Sequence, residues 1–303
     1  MPLVMRWVRL VCCGISVAGF FQIQAAEPVM VCGKAVFEAN GGGRICESSA
    51  MPVGDGTMFV AVALPGSDVN RVSLMYGGRT LSVQLTGQDP VSRLCLLKSE
   101  TRAVFVPAVA DSASGAARMV MQVKPGGGSP FRARATGWVK QVGGRILPLA
   151  LMRVNYDRAV PLPGEPIYDE AGRVVALAFQ AGDVPNAGFA LPIDVLHRVL
   201  NDLQKGGRPV RAWLGLSLRA DAPSPQITGV WKDSPASRAG LRVRDVLLDV
   251  DGGAVADYAD AVNAFYYLRP GRPLKIRVLR GVEEIGVEMT PVAAPAGDVP
   301  ALP

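Results

Sequence analysis

The chain has 303 residues, 49% of them hydrophobic and 19% charged, which is enough to bury two separate cores and too apolar for a disordered chain. The formal net charge is +6, aromatic residues make up 6%, and no run of Lys and Arg occurs, so the sequence carries no nucleic-acid signal. The 34 Gly and 24 Pro point to many turns and short strands.

Residues 1–26 read as a signal peptide. Arg6 and Arg9 make a positive start, an apolar run follows from Leu10 to Phe21, and Ala25-Ala26 offers a cleavage point before Glu27-Pro28. That run is too short to span a bilayer comfortably, and no later segment is long and apolar enough to do so. The expectation is an exported protein with no transmembrane segment after leader removal. Cys12 and Cys13 lie inside the apolar run rather than at its end, which argues against a lipid anchor. Loss of two arginines and no acids takes the charge from +6 to +4.

Three cysteines remain beyond the leader: Cys32, Cys46 and Cys95. Export makes a Cys32–Cys46 disulfide possible, closing a short loop through Gly41-Gly42-Gly43. The alternative is two unpaired small hydrophobes. Cys95, within Leu94-Cys95-Leu96-Leu97, reads as a buried, inert thiol on an apolar strand.

Residues 27–192 read as one β domain. Short apolar runs recur at Met58–Val62, Arg71–Met75, Thr80–Leu85, Met119–Val123 and Arg173–Leu177. Tyr76-Gly77-Gly78-Arg79 is a tight hairpin signal, and Pro125-Gly126-Gly127-Gly128 is a second turn. Many closely spaced strands imply a barrel or a sandwich. The pattern changes in residues 193–210, where Leu196, Val199, Leu200 and Leu203 recur at helical spacing and Gly206-Gly207 closes a linking helix. Residues 211–292 form a second unit, with strands, a short helix after Pro235 and a longer one from Asp257 to Leu268. Residues 293–303, rich in Ala and Pro, read as a flexible tail.

Within the second unit, Ser234-Pro235-Ala236-Ser237-Arg238-Ala239-Gly240-Leu241 and Arg244-Asp245-Val246-Leu247-Leu248-Asp249-Val250-Asp251-Gly252 follow Trp213-Leu214-Gly215-Leu216-Ser217-Leu218. This order closely resembles a PDZ domain. In such a module the turn at Leu214, Gly215 and Leu216 aims backbone N–H groups into a nest for a peptide carboxylate. The strand that follows offers an open edge for an added peptide strand. Leu216, Leu218, Val262 and Phe265 are the expected pocket for an apolar peptide end. Leu268 and Val246 are expected in the core, and Arg211 and Trp213 are expected to pack against the linking helix.

The first domain then becomes legible. Ala187-Gly188-Phe189-Ala190-Leu191-Pro192-Ile193, the linking helix and Arg211-Ala212-Trp213-Leu214-Gly215 resemble the junction in HtrA/Deg-type serine proteases, which are exported. The resemblance implies a mainly β chain: a trypsin-like double β-barrel followed by a PDZ domain. It implies a periplasmic, envelope location. It also places the family's triad near Ala63 for His, at Arg93 for Asp and at Pro163 for Ser. None of these residues can do the work.

The residues alone make the same case. No serine or cysteine lies between Ser129 and Ser217, and the chain has a single histidine, His197, on the linking helix. A serine nucleophile needs a base, and the base needs an orienting acid. Pro163 has no N–H to offer a developing oxyanion. Tyr168-Asp169-Glu170-Ala171-Gly172 reads as a surface turn rather than a carboxylate pair. No metal-ligand spacing and no cofactor motif occurs.

The expected function is therefore a proteolytically inactive HtrA-like envelope protein that binds the C-termini of envelope proteins, as scaffold, adaptor or regulator. It could form a homo-oligomer or associate with an active HtrA-type protease. The rivals are an active serine endopeptidase of envelope quality control, using for example Ser48, Ser49, Ser67 or Ser92, and a structural envelope component with a closed groove.

Overall fold

The computed structural model describes residues 32–295, apart from 43, 44, 117, 118, 127, 143, 221 and 222. The leader and residues 296–303 lie outside the described residues.

Six strands build the first barrel: β1 (Gly33–Ala39), β2 (Ile45–Val53), β3 (Met58–Val62), β4 (Ser67–Tyr76), β5 (Arg79–Gln88) and β6 (Leu94–Ser99). They close in the order β1-β2-β3-β6-β5-β4. Gly77 and Gly78 join β4 to β5 with φ of +58° and +75°. Two positive φ values in a two-residue loop match the twist of the flanking strands, and only glycine adopts them without cost. Phe37, Phe59, Leu74 and Leu97 fill this barrel, with Cys95 among them.

The second barrel repeats the plan. Its strands are β7 (Val120–Val123), β8 (Phe131–Val142), β9 (Arg145–Tyr156), β10 (Pro166–Tyr168), β11 (Val174–Ala181) and β12 (Ala187–Pro192), closed as β10-β11-β12-β9-β8-β7. Met121, Met152, Ile167, Leu177 and Leu191 are its fully buried side chains. Closure removes the exposed edges that a flat sheet of such apolar strands would present.

Helix α1 (Ile193–Gly206) links the halves. Leu196, Val199 and Leu203 are buried, as their spacing predicts, and Leu200 packs against the same core. Gly207 caps it in the left-handed region at φ 72°. This end docks on the first barrel: Gln88 N–H donates to Gly207 O at 2.9 Å, and a Cβ on Gly87 would lie 2.8 Å from the Gly207 backbone. Two glycines are what let strand and helix cap approach so closely.

The last unit contains β13 (Ala212–Trp213), β14 (Leu216–Leu218), β15 (Ile227–Val230), α2 (Pro235–Arg238), β16 (Val246–Val250), β17 (Gly253–Ala254), α3 (Tyr258–Tyr267), β18 (Leu274–Arg280), β19 (Glu283–Met289) and β20 (Val292–Ala293). Four of them order as β17-β16-β18-β19, β14 pairs with β15, and β13 pairs with β20. In β18, Leu274, Ile276 and Val278 are buried while Lys275 and Arg277 face water, the period-2 alternation of a half-buried strand. Each such buried side chain contributes about 1.5–3 kcal/mol of transfer free energy. Caps fix the helix starts: Ser234 accepts from Ser237 N–H and Asp257 from Asp260 N–H.

Several expectations need correction. Cys32 and Cys46 are both free. The β1–β2 register sets Cys46 opposite Phe37, five positions along the strand from Cys32. That is roughly 17 Å at strand rise, far beyond the ~7 Å Cα separation a disulfide tolerates. The tail does not begin at residue 293: Val292–Ala293 is a strand, and Ala294 N–H donates to Arg211 O at 2.9 Å. Val246 is only half-buried, because it lies where β16 begins. Among the described residues, no helix is long and apolar enough to cross a membrane.

Candidate functional site

Two places matter: the cleft where the barrels meet, and the groove of the last unit. The three positions on which the resemblance sets the triad lie near one another at the cleft. Ala63, just after β3, is buried and donates its N–H to Arg93 O at 2.9 Å. Ser48 on β2 bridges onward: its Oγ accepts from Val62 N–H at 3.1 Å and donates to Pro163 O at 2.9 Å. Ser49 N–H also donates to Pro163 O, at 2.7 Å.

No histidine stands at these positions, and no carboxylate is among them. Ala63 carries no titratable group. Arg93, held at φ 61°, lays its guanidinium 3.8 Å from the centre of the Phe179 ring and donates from Nη2 to Gln180 Oε1 at 3.3 Å. A cation stacked on an aromatic face is a cover for β11 rather than an acid. The loop of Pro161, Leu162, Pro163 and Gly164 lacks N–H groups at both prolines. Gly164 N–H is spent on Ala178 O at 2.7 Å and Glu165 N–H on Leu162 O at 3.1 Å. Gly164 sits at φ 81°, and a Cβ there would meet Ser49 O at 2.2 Å, so the loop is wedged against β2.

Sequence reasoning missed the pair that fills this wedge. Ser49 Oγ donates to the Glu165 carboxylate across the two barrels. Both residues are buried, and Glu165 Oε1 has no partner. Burial raises the Glu165 pKa, against the lowering pull of the Ser49 hydroxyl. The only local signal was an acid inside a glycine-proline loop.

The other hydroxyls have structural partners or none. Ser92 Oγ donates to Asp89 Oδ2 at 2.7 Å, both residues being buried, and Ser67 Oγ is buried without a partner among the described residues. His197 is exposed on α1, its Nε2 2.7 Å from Ala110 O. The Cys95 thiol is buried, and that burial pushes its pKa up to about 12, so it holds its proton. Asp169–Gly172 is a turn with Asp169 paired to Arg173 at 2.8 Å, as its composition predicts.

The groove is open. It holds about 350 Å³ and is lined by Leu214, Gly215, Leu216 and Leu218 on one side and by Tyr258, Val262 and Phe265 of α3 on the other. All six expected groove residues are therefore brought together. Gly215 turns the chain at φ 75°, and its carbonyl accepts from Trp231 N–H at 2.9 Å and from Ser234 Oγ at 3.2 Å. β14 pairs only with β15, so its second edge faces α3 without a partner strand.

Two residues were misplaced by sequence. Trp213 and Arg211 line the groove rather than packing on the linking helix. Trp213 meets Trp231 edge to face, with ring centroids 6.3 Å apart. Arg211 bonds Asp89 at 2.5 Å, and its guanidinium lies 4.7 Å from the centre of the Tyr266 ring. Tyr266 itself donates to Asp89 Oδ2 at 2.9 Å, across 177 residues of sequence. Burial first, and then the Asp89 charge, raise the Tyr266 pKa, so the phenol stays a donor. Val91 and Pro148 of the barrels also line the groove. On the other side of α3, Asn263 Oδ1 accepts from Ala150 N–H at 2.7 Å and Asp260 pairs with Lys140. No metal-ligating cluster of three His, Cys, Asp or Glu occurs among the described residues.

Comparisons with known proteins fit this geometry. Residues 212–290 match the PDZ domain family. The chain is 29% identical over 257 residues to a "probable periplasmic serine endoprotease DegP-like" of Pseudomonas fluorescens Pf-5, covering 77% of this chain and 53% of that protein. A protein of the same description from Halomonas elongata is also 29% identical over 257 residues, with the same coverage. The chain thus spans about half the length of the curated relatives it matches. Among solved structures it is similar in fold to the HtrA-type protease AlgW with a tripeptide, at a TM-score of 0.64 and 20% identity, covering 88% of this chain and 95% of that one. It is likewise similar to a serine endoprotease from Yersinia pestis, at a TM-score of 0.55 and 18% identity, covering 87% and 94%.

Proposed function

We propose that this chain, similar to HtrA/Deg-type proteins and built as a trypsin-like double barrel followed by a PDZ domain, is a proteolytically inactive envelope protein that binds peptide C-termini. One observation carries this reading. At the positions where the resemblance sets the nucleophile and the acid, Pro163 has its carbonyl held by Ser48 and Ser49 and Arg93 covers Phe179. The groove beside it remains open and apolar. The double barrel then serves as a scaffold, and the ligand is an extended peptide with an apolar end and a free carboxylate. That the relatives are described as periplasmic supports a periplasmic setting. Partners of this kind are envelope proteins with exposed C-termini, further copies of this chain, or an active HtrA-type protease.

The relatives' descriptions also favour a second reading, a working serine endopeptidase. Its best candidate is Ser49, the hydroxyl bonded to Glu165. Ser49 is only 4% exposed and Glu165 5%, so a substrate carbonyl has no route to them. Fluorophosphonate treatment of the purified chain separates the readings. No covalent label is expected, and a label on any serine would favour the peptidase. A peptide library with free and amidated C-termini tests the groove. Preference for free carboxylates is expected in the wild type and absent in Leu216→Lys; binding indifferent to the carboxylate would overturn the assignment.

A further inference from the structure

Helix α3 walls a second cavity. On the side away from the groove, a space of about 510 Å³ lies between α3, the outer ends of β8 and β9, and the start of α1. Trp138, Lys140, Asp194, Asn263, Tyr267 and Ser114 are among its walls.

Its polar groups divide into spent and open. Asn263 Oδ1 is taken by Ala150 N–H, and Lys140 is neutralised by Asp260. Asp194 gives one oxygen, Oδ2, to Ala113 N–H at 2.8 Å. That leaves Asp194 Oδ1, the Trp138 indole N–H, the Tyr267 hydroxyl and the Ser114 hydroxyl without a partner among the described residues. Lys140 and Asp194 are the charged residues of the lining; Lys140 is offset by Asp260, so the charge left without a counter-ion is the Asp194 carboxylate. Burial, and then the Asp194 charge, raise the Tyr267 pKa, so the field of Asp194 reaches across the cavity to the ring opposite.

Two aromatic rings and one half-free carboxylate around a part-open space favour a positive charge on an apolar stem. An organic cation gains from the ring faces, and its ammonium N–H groups or methyls meet the carboxylate. An anion would meet the Asp194 carboxylate, with Lys140 already committed to Asp260. A neutral apolar ligand would gain nothing from the carboxylate. We propose that this cavity is a binding site for a small organic ammonium ion, such as an aliphatic diamine or a quaternary amine, held between Trp138 and Tyr267 with its charge on Asp194.

Calorimetric titration of the intact protein with putrescine, choline and the uncharged analogue 1,4-butanediol tests this at constant ionic strength. One saturable site is expected for the cations, with a Kd at or below about 1 mM, and none for the diol. Asp194→Asn keeps an acceptor for Ala113 N–H while removing the charge, and should weaken cation binding about tenfold or more. Trp138→Leu, at a half-exposed strand position, should weaken it to a similar degree. Unchanged thermal unfolding would show that both variants fold. Absence of a saturable site for either cation, equal binding of the diol, or cation binding indifferent to both substitutions would overturn the proposal. Because the site lies on the other side of α3 from Leu216, Leu216→Lys should leave it intact.

Discussion

Gly215→Ala tests whether the carboxylate nest depends on a backbone that only glycine can adopt. Gly215 holds φ at 75°, where an L side chain costs about 1–2 kcal/mol. Part of that, about 0.4–1 kcal/mol, returns because alanine restricts the unfolded chain. Space is the larger obstacle. The new Cβ would lie 2.1 Å from Ser234 Cβ and 3.0 Å from Trp213 Cη2. Relief requires Ser234 to move by more than an ångström, and Ser234 caps α2 through Ser237 N–H at 3.0 Å. Loss of such a cap costs about 1 kcal/mol. Together these predict destabilisation of about 2–4 kcal/mol. Gly252→Ala is the control. It shares a positive φ, 84°, but a Cβ there meets nothing within 4 Å, so it should cost only the backbone part. Urea denaturation of both variants reads the stability, and a titration with free and amidated peptides reads the nest. Gly215→Ala should lose the preference for free carboxylates and Gly252→Ala should keep it. Equal destabilisation, or a Gly215→Ala protein that still selects carboxylates, would refute the reasoning.

Other predictions follow from the same contacts. The Glu165 carboxyl is raised above its ordinary value of 4.5, so the folded state keeps a proton that the unfolded state has lost. Stability should therefore fall as pH rises from that ordinary value through the folded one, by at most about 1.4 kcal/mol per pH unit. Glu165→Gln should flatten the slope of denaturation midpoint against pH; an unchanged slope would show that Glu165 is not the titrating group. Tyr266→Phe removes a buried bond to Asp89 and should cost about 1–2 kcal/mol in unfolding free energy, with the barrel and groove otherwise intact. Pro163→Ser restores a hydroxyl but neither base nor acid, so fluorophosphonate should still leave the protein unlabelled; a labelled Ser at 163 would mean that a base exists nearby.

Local signals carried most of the architecture into the sequence. The Gly77-Gly78 hairpin, the Leu196–Leu203 spacing, the Ser234-Pro235 cap and the strand at Val246–Val250 each depend on a few adjacent residues, and each stands where its pattern points. The groove was legible for the same reason, since the turn, the edge strand and α3 are short local units. Long-range pairs were not. Asp89 gives no hint that it will meet Arg211 and Tyr266, because hydrogen bonding across such a separation is set by how domains dock. Ser49 and Glu165 meet only because two barrels close against each other. The disulfide expectation failed on register: two cysteines close in sequence lie at different heights along one hairpin. Arg211 and Trp213 were misplaced because their side chains turn towards the groove, and side-chain direction is not written into such a short segment.

The carbonyl of Pro163 bears on how the two barrels stay together. It accepts at once from Ser48 Oγ and Ser49 N–H, both on β2 of the first barrel, while the loop that carries it leads into β10 of the second. A peptide bond that precedes Gly164 at φ 81°, with Ser49 O 2.2 Å from where a Cβ would stand, leaves no slack on that side. The loop therefore acts as a clasp: a substitution that swings this one carbonyl away would cut two strands of the joint in a single move, and the barrels would part there first.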